Sequence, residues 1–261
     1  GDVHVALPRA PGSPVRNVRS STFEATGEPG KDLTAARFQD QVEYREEAIE
    51  GGAPRFVRSS LLRITFADTA VTAAVFSGGV QFGEQGLQAS GAEAHYDPTN
   101  GTLRLSGIDV GGAPHVADEQ IEVDADIIDV ALAGRQMSAS GSVTTLLYAG
   151  ASGRLPGLLQ QGEPVNVSAD TLDYQGGAGT AVYAGDATLW QGATAIRADQ
   201  IRIDRASANL TASGNARSTL VLDLGEAVGR AAGIRYDDDA RTIIYDTPAA
   251  AIGAAGAAAP A

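Results

Sequence analysis

The feature that most constrains this chain is a short apolar motif that loses one residue of phase each time it appears. Small or apolar residues stand at its first, fourth and sixth positions, where strict alternation would put them at the first, third and fifth. The copies are Leu61, Ile64 and Phe66; Ala89, Ala92 and Ala94; Ala125, Ile128 and Val130; Ala169, Leu172 and Tyr174; Ala198, Ile201 and Ile203; and Ala231, Ile234 and Tyr236. A strand that slips by one residue turns its apolar side to the opposite face. Each copy therefore predicts a β-bulge or a corner where the strand passes from one sheet to another, with apolar residues facing inward on both sides.

Around the motif the chain alternates in short runs such as Val165–Ala169, Thr180–Tyr183, Ala187–Trp190 and Ile201–Ile203. Pairs such as Asn100-Gly101 and Gly176-Gly177 supply hairpin turns, and a glycine mark recurs at Gly78, Gly107, Gly141, Gly185 and Gly214. Prolines at 54, 114 and 164 follow glycines at strand entrances. The best helical candidate, Asp40–Glu50, reads equally well as a strand and a charged loop. The expectation is an all-β protein of antiparallel strands. Phe66, Phe76, Phe82, Tyr174, Tyr183 and Trp190 fall at inward phases and read as core.

Composition narrows the function. The net charge of −13 offers no basic field to neutralise nucleic-acid phosphates, so no nucleic-acid partner is expected. The absence of cysteine removes disulfides, thiolate nucleophiles and cysteine-type metal sites. The three histidines, His4, His95 and His115, have no metal-ligand spacing. No serine lies in a Gly-x-Ser-x-Gly context, and Gly176–Thr180 lacks the lysine and helix of a phosphate loop. Acid pairs such as Asp124 and Asp126, Asp170 and Asp173, and Asp199 and Asp204 read as the solvent face of one-sided sheets. Asp237–Asp239 is the best local candidate for calcium, and a glycosidase reading would need two carboxylates facing each other across a cleft. No catalytic residue, metal or cofactor is expected.

Between Val165 and Ala216 the order of elements is specific. An Ala-Asp strand (Val165–Tyr174) leads to a Gly-Thr turn and a Tyr-x-Gly-Asp strand (Tyr183–Asp186). A second Ala-Asp strand (Ala198–Asp204) and an Ala-x-Gly-Asn strand (Ala212–Asn215) follow. This stretch closely resembles the OstA-like repeat of the lipopolysaccharide-transport family, that of LptA, LptC and the LptD N-terminal domain. The likeness recurs more diffusely from about Thr22 to Tyr245.

The resemblance implies an open, twisted β-jellyroll whose two antiparallel sheets form a V-shaped groove. It implies a periplasmic protein that carries lipid A acyl chains without chemistry as part of a trans-envelope bridge. The implied partners are lipopolysaccharide and other OstA-like jellyrolls stacked edge to edge, with homo-oligomers included. A tether to the inner membrane, in a segment outside this chain, belongs to the same expectation. Carried onto this sequence, the groove or core lining is Leu172, Tyr174, Val182, Leu189, Ile196, Ile201, Ile203 and Leu210.

The expected organisation is a divergent OstA-like half over 1–148 and a loop or hinge over 149–162. Clear repeats over 163–246 then continue the jellyroll or form a second one, and a flexible Ala/Gly/Pro tail occupies 247–261. Two rivals remain at this point. One is a structural or adaptor β-protein of the envelope without a ligand, and the other is a carbohydrate-binding β-solenoid. The uneven distances between motif copies favour the jellyroll, since stacked coils keep a nearly constant repeat length.

Overall fold

The computed structural model describes residues 2–9, 12–27, 32–48, 52–67, 70–108, 110–149, 154–222 and 225–246. The expected tail over 247–261 lies outside the described residues. Among them there are eighteen β-strands and no helix. The first seven are β1 (Val3–Ala6), β2 (Arg16–Ser20), β3 (Thr22–Gly27), β4 (Leu33–Glu46), β5 (Arg55–Ala67), β6 (Ala70–Glu84) and β7 (Leu87–Asp97). Five shorter or intermediate strands follow: β8 (Thr102–Ser106), β9 (His115–Ala117), β10 (Ile121–Asp124), β11 (Ile127–Ala131) and β12 (Gln136–Leu147). The last six are β13 (Val165–Gln175), β14 (Thr180–Gln191), β15 (Thr194–Asp204), β16 (Asn209–Leu222), β17 (Gly225–Asp237) and β18 (Thr242–Asp246). The candidate helix over Asp40–Glu50 is thus the end of a long strand, β4, as far as Glu46.

Successive strands pair antiparallel, and every long pair breaks register near its middle. The breaks fall at Gln39/Val42, Arg58/Leu61, Ser77/Val80, Ser140/Val143, Ser168/Thr171, Ala184/Ala187, Arg197/Gln200 and Ser213/Ala216. These are the phase slips of the motif. On one strand of each corner two consecutive residues take left-handed conformations, at Asp40-Gln41, Gly78-Gly79, Gly141-Ser142, Gly185-Asp186 and Gly214-Asn215. Glycine, Asn and Asp tolerate that region best, which explains the Gly-Asp and Gly-Asn dipeptides of the repeat.

The facing strand supplies the other half of the corner. Asp126 packs over Gly141, Asp170 over Gly185 and Asp199 over Gly214, so closely that a Cβ at any of these glycines would collide with the carboxylate. Asn215 also donates its side-chain N–H to Asp199. The alternation of Ala-Asp with Gly-x in the sequence is therefore one corner written on two strands.

The corners divide the strands between two sheets. The first holds β1, β2, β9, β10 and one end of each long strand, including Val42–Glu46, Val143–Leu147, Val165–Ala169 and Ala187–Gln191. The second holds β3, β8, β11, β18 and the other ends, including Ala35–Gln39, Gln136–Ser140, Thr171–Gln175 and Thr180–Ala184. Both run unbroken through β12 and β13, so the 149–162 segment does not interrupt them.

That the sheets face each other follows from two contacts. Tyr174, near one end of β13, donates to Gln120 Oε1 at 3.3 Å. Gln120 also accepts from Tyr148 N at 3.0 Å, beside the Leu147–Val165 pair at the other end of β13. Drawn straight, those nine residue steps would span about 30 Å. The strand folds back on itself instead.

The seam between the sheets is the core. Most inward residues are almost inaccessible, among them Phe38, Leu62, Phe76, Leu105, Ile128, Leu147, Val167 and Tyr183. Burying each such aliphatic or aromatic side chain contributes roughly 1.5–3 kcal/mol. The outward face of each strand is polar, as one-sided antiparallel sheets require. Neighbouring strands are antiparallel hairpin partners and not stacked parallel coils, which removes the β-solenoid reading.

Candidate functional site

The seam is apolar, runs the length of both sheets, and has a closed side along the corners and a mouth along the strand ends. Of the eight lining residues expected from sequence, the structure brings Leu172, Tyr174, Leu189, Ile196, Ile201, Ile203 and Leu210 together inside it. Val182 is a correction. It lies half-buried on the outer face, paired with Asp173 and Arg202, while its neighbours Ala181 and Tyr183 point inward. Trp190 is a second correction at 37% exposure, because the inward residues there are Leu189 and Gln191. Both follow from the corner at Gly185, which puts Ala181, Tyr183, Ala187, Leu189 and Gln191 on the inward phase and leaves Val182 and Trp190 off it.

The mouth is laced by polar groups that reach from one sheet to the other. In the N-terminal half, Glu46 is 5% exposed and accepts from Arg16 Nε at 2.7 Å, Arg55 Nη1 at 2.9 Å and Tyr44 at 3.0 Å. Arg55 also donates to Glu84 at 2.8 Å and to the Tyr96 hydroxyl at 2.8 Å. Tyr96 comes from the second sheet, so this network spans the mouth. Burial first, and then the Glu46 carboxylate, push the Tyr96 phenol up to about 12, and the same causes raise Tyr44 further. Two arginines and two glutamates balance here.

Midway along, Arg135 at the turn after β11 reaches over to Gln85 O at 3.0 Å and to Asp118 at 3.8 Å. In the C-terminal half the crossing residue is Arg205, at the turn after β15. It is 1% exposed and donates to Gln120 Oε1 at 3.0 Å, to Gln120 O at 3.5 Å and to Tyr148 O at 2.6 Å.

Within the 149–162 segment expected to be a loop or hinge, residues 154–162 form a strap across this mouth. Arg154 N donates to Arg205 O at 3.0 Å and Gly157 N to Asp238 Oδ1 at 2.8 Å, both on turns of the second sheet. Farther along, Gln160 N donates to Gln191 Oε1, and Gln191 Nε2 returns bonds to Gln160 O and Glu163 O. Gln191 belongs to the first sheet, so the strap ties the two together. Leu155 and Leu159 are buried beneath it.

Asp238 also accepts from Tyr236, and Arg154 lies 3.7 Å away. The candidate calcium carboxylates thus include one already committed to the strap. Among the described residues no cluster of histidine, Asp or Glu side chains is arranged to hold a metal.

Sequence reasoning missed the lacing residues. Arg205, Arg135 and Gln120 sit in or beside turns, where a polar residue reads as solvated. Only the tyrosines closing the motif, Tyr174 and Tyr236, carried a signal.

Among the described residues, strands at both ends of the molecule pair on one side only. At the N-terminal end these are β1 and β3, and at the C-terminal end Glu226–Ala231 of β17 and β18. Val221, Val228 and Ile244 are exposed there, and Tyr245 crosses the seam to lie against Gly229 and bond Ser218 at 2.7 Å.

Two antiparallel sheets folded about one line of corners, with an apolar seam between them and free edges at both ends, define an open-ended β-jellyroll built from a repeated hairpin. Residues 166–250 match the family described as LptA/(LptD N-terminal domain) LPS transport protein. That segment includes nearly all of β13 through β18. Among solved structures, the chain is similar to the crystal structure of LptH from Pseudomonas aeruginosa, described as the LptA homologous periplasmic component of the conserved lipopolysaccharide transport device. The identity is 11% and the TM-score 0.39, over 49% of this chain and 82% of that one. No curated protein sequence matches the chain.

Proposed function

We propose that this protein binds lipid A-type acyl chains in the seam between its sheets, in the periplasm, as one element of a lipopolysaccharide-transport bridge. The observation that carries the reading is the coincidence of the family match with the aliphatic residues of the seam: Leu172, Leu189, Ile196, Ile201, Ile203 and Leu210 all lie within residues 166–250 and all face it. An acyl chain lodged there gains about 0.8 kcal/mol per buried methylene. The protein does no chemistry on its cargo. Neighbouring jellyrolls add to the free edges at β17 and β18 by strand pairing, with Val228 and Ile244 buried in the contact.

A photo-crosslinking residue at Leu189 or Ile201 tests the reading. Adducts with lipopolysaccharide are expected there and not at the outer-face neighbours Thr188 and Arg202. Adducts at the outer positions alone would defeat it.

A second reading has its own support. The seam is filled by side chains and its mouth is laced, which suits an envelope adaptor with no ligand. Absence of adducts at all four positions would favour it.

A further inference from the structure

One outward-facing row of residues runs unbroken across the first sheet, from Arg19 on β2 to Arg230 on β17, each residue opposite the next in cross-strand register. At its start the charges alternate. Arg19 meets Asp2 at 2.9 Å and stands opposite Glu43, which in turn stands opposite Arg58 at 3.5 Å. Midway, His115 faces Asp124 at 2.9 Å. Thr144, Ser168 and Thr188 follow. The row then ends on arginines in succession, Arg197 opposite Arg217 and Arg217 opposite Arg230.

All of these arginines are exposed. Arg197 has Asp186 at 2.8 Å, but Arg217 and Arg230 form no ion pair with a described residue. Residues directly opposite in an antiparallel pair lie about 5 Å apart, and like charges there destabilise the sheet. The chain has 32 acids against 19 bases, so this run of like charge is set against the composition of the whole. Solubility alone would be served by the alternation seen at the start of the row.

Arg217 and Arg230 also line a groove of about 520 Å³ beside the corner, with Gly214, Ala216 and Ala231 along it. These small residues leave the guanidinium groups room to meet a planar carboxylate in paired hydrogen bonds. One row over on the same face lie Trp190, 37% exposed, and Val228, 70% exposed. Tryptophan and arginine are residues that protein interfaces concentrate. A net charge of −13 opposes a broad anionic surface such as a membrane, whereas a short acidic segment meets only the local patch.

We propose that this end of the outer face docks an extended acidic segment of a partner protein, with carboxylates seated on Arg217 and Arg230 and reaching toward Arg197. Neighbouring rows lie about 7 Å apart, the i to i+2 step of an extended chain, so the segment carries acidic and apolar residues alternately on its docking side. The face is the outside of the sheet, apart from both the seam and the backbone edge of β17.

The test is fluorescence anisotropy of a labelled peptide of repeated Glu-Ser-Val-Ser units with the full chain, against the same peptide with lysine for glutamate. The acidic peptide is expected to bind at least about tenfold more tightly, with the difference shrinking as salt rises. Arg217→Ser and Arg230→Ser should each weaken it several-fold and leave binding of the lysine peptide unchanged or tighter. Both variants should keep the thermal midpoint or raise it, because each removes a charge set against a like charge. Arg197→Ser should weaken the acidic peptide least, since Asp186 already shares its charge.

Equal binding of the two peptides, or an acidic preference untouched by Arg217→Ser and Arg230→Ser, overturns the assignment and leaves the seam reading as it stands. Capture by phosphatidylglycerol vesicles that depends on both arginines, without a preference for the acidic peptide, also overturns it and gives the row to a lipid surface.

Discussion

The two halves of the mouth close the same gap with different chemistry. In the N-terminal half, Arg16 and Arg55 meet Glu46 and Glu84, and Tyr44 and Tyr96 complete a network in which positive and negative groups balance. In the C-terminal half, Arg205 and Tyr174 cross onto neutral oxygens, and a strap lies over the opening. A balanced buried network holds two sheets together with each charge paired. The half under the strap is the half that contains most of the family match. Sheet geometry is therefore shared along the whole roll, and the polar contacts across its mouth differ from one half to the other.

The largest effect should come from breaking the balance. Glu46→Leu leaves the largely buried Arg16 and the partly buried Arg55 without their shared carboxylate, and a loss of about 3–5 kcal/mol is expected. Arg205→Met removes a cation that has no carboxylate partner, at the expense of donors to Gln120 and Tyr148. Its expected effect is about 1 kcal/mol or less. Denaturant midpoints measured for the two variants side by side check this, and equal losses would show that the halves are held alike.

A smaller contrast lies along the corners. At Gly185 (φ +82°) a Cβ would strike the carboxylate of Asp170. Gly185→Ala is expected to cost about 3 kcal/mol, part from the left-handed backbone and part from the collision. At Gly79 (φ +68°) nothing lies within 4 Å, so Gly79→Ala should cost only the backbone portion, about 1–2 kcal/mol. If the two substitutions cost the same, Asp170 yields freely and the Ala-Asp half of the motif does not shape the corner.

These corners were the most legible part of the molecule. A one-residue slip after Ala169 or Ala198 has few structural meanings, and together with the Gly-Asp and Gly-Asn dipeptides it located the fold line and the two-sheet seam. Of the eight positions that the resemblance implied, seven are buried between the sheets and Val182 is on the outer face. Val182 and Trp190 were misplaced because hydrophobicity outweighed phase. The mouth was not legible. Arg205 touches residues 57 and 85 positions away, and Tyr96 meets Glu46 across 50, so their partners depend on how far each strand folds back. The 149–162 segment read as an interruption because Leu155 and Leu159 follow no strand period. Their burial depends on a turn at Pro156–Leu159 and on anchors far along the chain.

The smallest effect concerns the strap itself. Burial works to raise the Asp238 carboxyl, but the Gly157 N–H, the Tyr236 hydroxyl and the nearby Arg154 and Arg241 outweigh it and hold the group below the usual carboxylate range. A carboxyl depressed on folding contributes stability that is complete above its unfolded value, near pH 4, and that fades as pH falls through the folded value. Acid should therefore loosen the strap at its Gly157 anchor without disturbing the sheets. Amide hydrogen exchange over 154–160, corrected for the intrinsic rate, is expected to quicken about threefold between pH 5 and pH 3. In Asp238→Asn the strap should exchange faster at both pH values and show no such step. A step that persists in Asp238→Asn would place the acid-sensitive contact elsewhere, and the cover would then depend on the bonds at Gln191 and the burial of Leu155 and Leu159.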